Sequence, residues 1–181
     1  DVHGIVVHGG HADFQRVPIS ALVKMPDEIS FVGGAAIACV TGTAYGALCR
    51  LGISARDTLV VFGLGPVGLS AVQLAAAMGV EVIGVEKHDE ALAYARRNAA
   101  GTAVTIVRGD VTDPALLADW HGTVDLVLSN PPYVPETPDL DTEVYADPPQ
   151  AVFAGESGMD VIDEMLPTVA ALLRPGGLVG I

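Results

Sequence analysis

Basic residues are scarce in this sequence: nine lysines and arginines stand against 22 aspartates and glutamates, for a formal net charge of −13. An acidic surface repels phosphate backbones, which argues against nucleic acid as the main partner unless a local patch overrides the balance. The deficit is uneven, since residues 1–86 carry 7 acids against 4 bases while residues 87–181 carry 15 against 5. A solubilising surface is its simplest meaning. Cysteine is scarcer still. Cys39 and Cys49 form neither a disulfide framework nor a CxxC pair, and Cys39, within an apolar run, reads as a small core residue. No secretory segment with a basic flank is visible, and no apolar run reaches the ~18 residues of a membrane span. The expectation is a reducing cytoplasm and no membrane. Metal ligands lack a usable pattern too. His3, His8 and His11 sit in a glycine-rich turn without paired acids or cysteines, so no metal site is expected.

Apolar residues, in contrast, make up 50% of the 181 positions, and the mean hydropathy is +0.46, enough for one substantial core. Residues 1–27 mix glycine with short β-branched runs and read as short strands and turns with no core of their own. From Pro26 the spacing of small apolar residues predicts two short helices, about 28–37 and 42–51. A regular alternation follows. Strands are predicted over 58–63, 80–86, 102–107, 123–129 and 178–181, and helices over 66–79, 89–101, 114–120 and about 158–173. The loop over 130–150 holds six of the twelve prolines and is too long for a mere connection, so it is expected to be functional. The fold class is therefore α/β: a Rossmann-like, doubly wound, mostly parallel sheet over residues 28–181, with a short irregular N-terminal appendage. Ligands of such sheets lie at the carboxyl ends of the strands.

Three glycines, Gly63, Gly65 and Gly68, form G-x-G-x-x-G between a predicted strand and helix. The first permits a tight turn, the second a close approach of phosphate to backbone, and the third close packing of helix on strand. The helix N-terminus offers N–H groups to an anion. Glu86 ends the next strand, where a carboxylate accepts from ribose hydroxyls and repels a 2′-phosphate, favouring NAD over NADP for a dinucleotide. Glycines serving packing alone remain the alternative. Over about residues 1–86, the stretch from PISALVKMPDEISF through CVTGTAYGAL and VFGLGPVG to EVIGVE resembles the medium-chain, zinc-type alcohol dehydrogenase family. It runs from the tail of that family's catalytic barrel (1–27) into its dinucleotide domain. The resemblance implies NAD, and would make Cys39 one ligand of a catalytic zinc, but a single thiolate does not hold a three-ligand open site.

Asn130, Pro131, Pro132 and Tyr133 follow a predicted strand and so project from its carboxyl end. The proline after Asn130 keeps it extended, and two prolines remove two N–H donors. What remains is a stiff pair of acceptors, the Asn130 side-chain oxygen and the Pro131 carbonyl, suited to the two hydrogens of a planar amino group on which Tyr133 stacks. Such a site fits methyl transfer to an amide or amino nitrogen, with positioning in place of a strong base. The bland alternative is a rigid proline turn. Over about residues 88–181, NPPYVP, DPPQAVFAGESGMDVI and LRPGG resemble the HemK family of release-factor glutamine methyltransferases in order and spacing. That resemblance implies S-adenosylmethionine as cofactor and a protein substrate presenting a glutamine. It implies that Glu86 holds the ribose, Asp110 meets the adenine amino group, and Asn130 to Tyr133 hold the amide. Asp110 also suits an exocyclic amine on its own chemistry, or equally a helix-capping role before VTDP.

The glycine loop departs from the HemK pattern, because VVFGLGPVG has no acid for the methionine amino group. The helical substrate-recognising domain of that family, and its strands after the position of Ile181, have no counterpart in this sequence. The chain thus reads as composite, joined near residues 84–98, as in a recombined or designed chimera, with a natural eroded fusion left open. Methyl transfer, impaired or lost through the first cofactor loop, is the favoured activity because the substrate-holding loop is complete. An NAD-binding dehydrogenase fragment and a nucleotide-binding scaffold without turnover are the alternatives.

Overall fold

The computed structural model describes residues 13–137, 140 and 142–181. The chain divides into two compact units, one ending at Ala35 and the other spanning Ala36–Ile181. The first unit contains a 3-10 turn, Ile19–Ala21, and the start of helix α1 (Phe31–Ala36). None of its described residues is buried. The short strands expected over residues 1–27 do not form among residues 13–27. Strands this short need partner strands, and the described residues 13–27 supply none.

The second unit begins with a π-turn (Ile37–Thr41) and α2 (Gly42–Leu51), closed by Gly52 at φ +66°. It continues through β1 (Thr58–Phe62), α3 (Pro66–Ala77), β2 (Glu81–Glu86), α4 (Asp89–Ala99), β3 (Thr105–Arg108) and β4 (Val124–Ser129). It ends with α5 (Pro149–Val152), α6 (Asp160–Leu172) and β5 (Leu173–Gly180). The sheet order is β3-β2-β1-β4-β5, and all four pairings are parallel. This is the predicted doubly wound Rossmann-like α/β sheet.

The strand sequences explain why both faces are covered. Along β1, Leu59 and Val61 face Ala44, Leu48, Ala71 and Val72 in one core. Val60 and Phe62 alternate to the other face, against Ile83, Val85, Met165 and Leu172. Both sets are buried, so these strands are continuous apolar runs, as parallel sheets sandwiched between helices require.

Five further expectations are corrected. The two helices predicted before Gly52 are continuous through the π-turn: Phe31–Leu51 is helical over 21 residues with hydropathy 1.5, long and apolar enough to cross a membrane. That corrects the expectation that no apolar run reaches such a length, although core helices of soluble proteins meet the same criterion. Cys39 is exposed rather than core, because residues 35–39 are all exposed. The helix expected over 114–120 shrinks to a 3-10 turn, Ala118–Trp120. Leu117 enters it at φ 53°, while Leu116 turns into the core against the Gly109 backbone, so burial of one leucine overrides helix propensity. Finally, β5 starts at Leu173, five residues before its predicted start. An excursion at Arg174–Gly177 separates the Val124↔Leu173 pair from the Leu126↔Leu178 pair and hides the strand from pattern reading.

Asp125 ties three strands together. Its Oδ2 accepts the Thr58 N–H at 2.8 Å, and its Oδ1 accepts from the Arg174 guanidinium. The Thr58 hydrogen bond first, then Arg174, holds this carboxyl below the usual aspartate range. A lowered folded value means the stabilisation is present above the unfolded range of about pH 4 and disappears as pH falls through the folded value. Asp125→Asn should therefore flatten the acid limb of a melting-temperature profile, read between pH 5 and pH 2.

Candidate functional site

Register brings the predicted site residues to one edge. Phe62 pairs with Val85 on one side and Ser129 on the other, and Glu86 pairs with Arg108. Gly63, Glu86, Asp110 and Asn130 therefore leave four neighbouring strands at the carboxyl end, in the order Asp110, Glu86, Gly63, Asn130.

The glycine loop shows how its sequence is used. Gly63 takes φ +77°, a left-handed turn, and its N–H donates to the Val85 carbonyl at 3.0 Å. A Cβ at Gly68 would stand 1.9 Å from the Gly63 carbonyl oxygen, so only glycine lets α3 pack there. At Gly63 and Gly65 a Cβ would meet nothing within 4 Å. That is open space at the start of a helix whose first turn holds Pro66.

Glu86 is only 6% exposed. Its Oε2 accepts the Leu64 N–H and its Oε1 the His88 N–H, both at 2.8 Å. It clamps the glycine loop as well as ending β2, and each oxygen keeps acceptor capacity for a hydroxyl. The sequence reading missed this clamp, since backbone donors leave no trace in residue types.

Asp110 is placed as a turn cap. Its Oδ1 accepts the Thr112 N–H at 3.0 Å and the Thr112 hydroxyl at 2.9 Å, while Oδ2 lies 3.6 Å from the Lys87 ammonium. The Thr112 N–H is the main cause, and Lys87 a lesser one, of a carboxyl held below its usual range despite partial burial. Oδ2 faces this exposed lysine.

In the proline loop, Asn130 is exposed, Pro131 buried, Pro132 half-buried and Tyr133 65% exposed. Pro131 thus roots the loop and leaves Asn130 and Tyr133 to solvent. Within the longer loop, a 3-10 turn (Thr142–Ala146) and α5 supply regular structure that the prolines masked. His3, His8 and His11 lie outside the described residues. A cavity of about 400 Å³ lined by Leu69, Val72, Ala95 and Val104 lies between α3 and α4 beside the amino end of β3, away from these residues.

A family model of the methyltransferase small domain matches residues 53–147, taking in the glycine loop, Glu86, Asp110 and the proline loop. A release factor glutamine methyltransferase of Corynebacterium glutamicum is 57% identical over 99 residues, covering 54% of this chain and 36% of that protein. A zinc-type alcohol dehydrogenase-like protein of Escherichia coli is 41% identical over 90 residues, covering 49% of this chain and 26% of that protein. The chain thus spans about a third of the one relative's length and a quarter of the other's. Among solved structures, an alcohol dehydrogenase from Thermus sp. ATN1 aligns over 96% of this chain and 43% of its own, with TM-score 0.62 and 24% identity, a likeness of fold. Both resemblances read from the sequence are present among known proteins, so the composite reading stands. The methyltransferase match implies S-adenosylmethionine as cofactor, and the open Gly63–Gly65 cradle beside Glu86 fits a nucleoside; NAD fits the dehydrogenase likeness. Matched from residue 53 to residue 147, over more than half its length, the chain belongs to the methyltransferase small domain family.

Proposed function

We propose that this chain carries out S-adenosylmethionine-dependent methyl transfer to a glutamine side-chain amide of a protein such as a release factor, in the cytoplasm. The observation that supports it is the order of Asp110, Glu86, Gly63 and Asn130 on adjacent strand ends, with Asn130 exposed beside an open glycine cradle. In this reading Asp110 accepts from the adenine amine and Glu86 from the ribose hydroxyls. The Asn130 side-chain oxygen and the Pro131 carbonyl accept the two amide hydrogens, and Tyr133 stacks on the amide plane. Held this way, the nitrogen lone pair leaves conjugation and turns toward the electrophile, so orientation rather than a strong base lowers the barrier. When bound, S-adenosylmethionine supplies a methyl group on a positively charged sulfur. The amide nitrogen held by Asn130 and Pro131 would accept that methyl group and lose one proton to solvent.

The glycine loop limits this activity. No acid follows β1 to hold an amino group, so cofactor affinity is expected to be weak. A second reading, NAD binding without transfer, is favoured by the tight Gly68 packing and the dehydrogenase-like stretch. A scaffold without turnover is the third. Thermal shift with NAD, NADH, S-adenosylmethionine and S-adenosylhomocysteine separates them, since a ligand at a hundredfold excess over Kd adds about 2.7 kcal/mol. Stabilisation by S-adenosylmethionine and S-adenosylhomocysteine, and by neither NAD nor NADH, is expected. Stabilisation by NADH alone would sink the methyltransferase reading, and a response to none supports the scaffold.

A further inference from the structure

Residues 152–158 come about twenty positions after Asn130–Tyr133, yet they form the floor of that stretch. The Val134 N–H donates to the Val152 carbonyl at 3.0 Å and the Ala154 N–H to the Val134 carbonyl at 3.1 Å, making a parallel bridge between Val134 and Phe153. The Glu136 N–H continues it to the Gly155 carbonyl at 2.9 Å. Ala154 is 2% exposed, and its carbonyl accepts the Asp160 N–H at the start of α6, so the floor is tied to a long helix. From above, the Tyr145 ring packs on Phe153 with centroids 5.7 Å apart, and its hydroxyl donates to the Thr137 carbonyl at 3.3 Å.

Gly158 closes the arrangement. It is buried, at φ +74°, and a Cβ there would lie 2.4 Å from the Tyr133 carbonyl oxygen and 3.3 Å from Pro135 Cδ. No side chain fits unless Tyr133 lifts. We propose that Gly158 is a positioning residue for methyl transfer: by letting the Tyr133 carbonyl rest against its backbone, it sets the height of Asn130, Pro131 and Tyr133 above the strand ends. The inference rests on the methyl-transfer reading. It assigns the segment around AVFAGESG to holding the substrate loop in register with the cofactor edge, without touching either reactant. Displacements of about 1 Å in such a constellation cost on the order of a hundredfold in rate.

The test compares Gly158→Ala with Gly101→Ala. Gly101 has φ +80° and nothing within 4 Å of a Cβ, so it carries the same backbone strain without the clash. For Gly158→Ala, hydrogen exchange at the Val134 and Glu136 amides should rise at least tenfold while β1 amides stay protected. In the same variant, kcat on a glutamine-bearing peptide should fall about a hundredfold, with KM and the S-adenosylhomocysteine thermal shift unchanged. Gly101→Ala should change none of these beyond a lower melting temperature. Wild-type exchange at both amides, or a kcat loss no larger than that of Gly101→Ala, overturns the proposal. Tyr145→Phe, at a residue 54% exposed, gives an arm that spares the fold. It should raise exchange at Glu136 and lower kcat several-fold, and wild-type values in both overturn the proposal even if Gly158→Ala does not fold. A wild-type chain that methylates no glutamine peptide overturns the methyl-transfer reading instead, and the exchange data then judge the setting of the loop by themselves.

Discussion

Gly68→Ala is expected to lower the melting temperature by roughly 6–12 °C and to abolish stabilisation by any nucleotide. The added Cβ would lie 1.9 Å from the Gly63 carbonyl oxygen and 3.0 Å from the Gly63 carbonyl carbon. Both are backbone atoms of a turn already fixed by the Val85 carbonyl and the Glu86 clamp on Leu64, so neither can yield without moving α3 off β1. Overpacking of this kind costs about 3 kcal/mol, and for a domain of this size each kcal/mol is worth about 2–4 °C. Gly65→Ala supplies the contrast. Its backbone, at φ −67° and ψ −173°, is open to any residue, and its Cβ would meet nothing within 4 Å, so the melting temperature should hold. The methyl would stand where a ligand approaches, and the ligand-induced shift should shrink by at least half. If Gly65→Ala keeps the full shift while Gly68→Ala loses stability, the glycines serve packing alone.

The sheet was legible because its strands are buried on both faces. Runs such as LVVF and VIGV carry no polar interruption, and each is closed by glycine or an acid at the carboxyl end. Helix α3 announced itself by Pro66 at its first turn and Gly79 just past its end. Elements whose form depends on a distant contact were not legible. Leu116 abandons a helix for the core, and β5 is broken by an excursion that only pairing with β4 reveals. The site divides in the same way. Gly63, Glu86 and Asn130 could be proposed because they end or follow strands, and Gly68 because it lies in the first turn of α3. The Glu86 clamp and the floor under Tyr133 are made through backbone N–H and carbonyl groups, which every residue possesses. Their one trace in the sequence was a pair of glycines, Gly155 and Gly158, just before α6.

The seam between the two resemblances is structurally quiet. β2 pairs with β1 over five residues and with β3 over four, all in unbroken parallel register, so the strand that precedes the join serves both halves alike. Both likenesses require an acid at the end of this strand, and Glu86 satisfies that demand with the same two oxygens that hold the loop and the His88 turn. Compatibility of the halves is thus a property of the sheet. Whether chemistry survives depends on two neighbouring points of the carboxyl edge, the glycine loop after β1 and Asn130 after β4.

Asn130→Ala should reduce glutamine methylation by about two to three orders of magnitude, the loss typical of removing one aligned hydrogen-bonding group from a reacting centre. The stability cost should be small, within about 0.5 kcal/mol, because Asn130 is exposed and the loop is rooted by buried Pro131 and the Val134 bridge. The S-adenosylhomocysteine thermal shift should also persist, since Asn130 leaves β4 while the residues proposed to hold the cofactor leave β1, β2 and β3. Transfer of a labelled methyl group to a glutamine-bearing peptide, measured beside both controls, reads the effect. Asn130→Asp keeps an acceptor oxygen but adds a charge that holds the amide in its ground state more tightly, so it should recover only part of the rate. Tyr133→Phe keeps the stacking face and should fall by no more than several-fold. Retained methylation by Asn130→Ala would remove the acceptor pair from the mechanism.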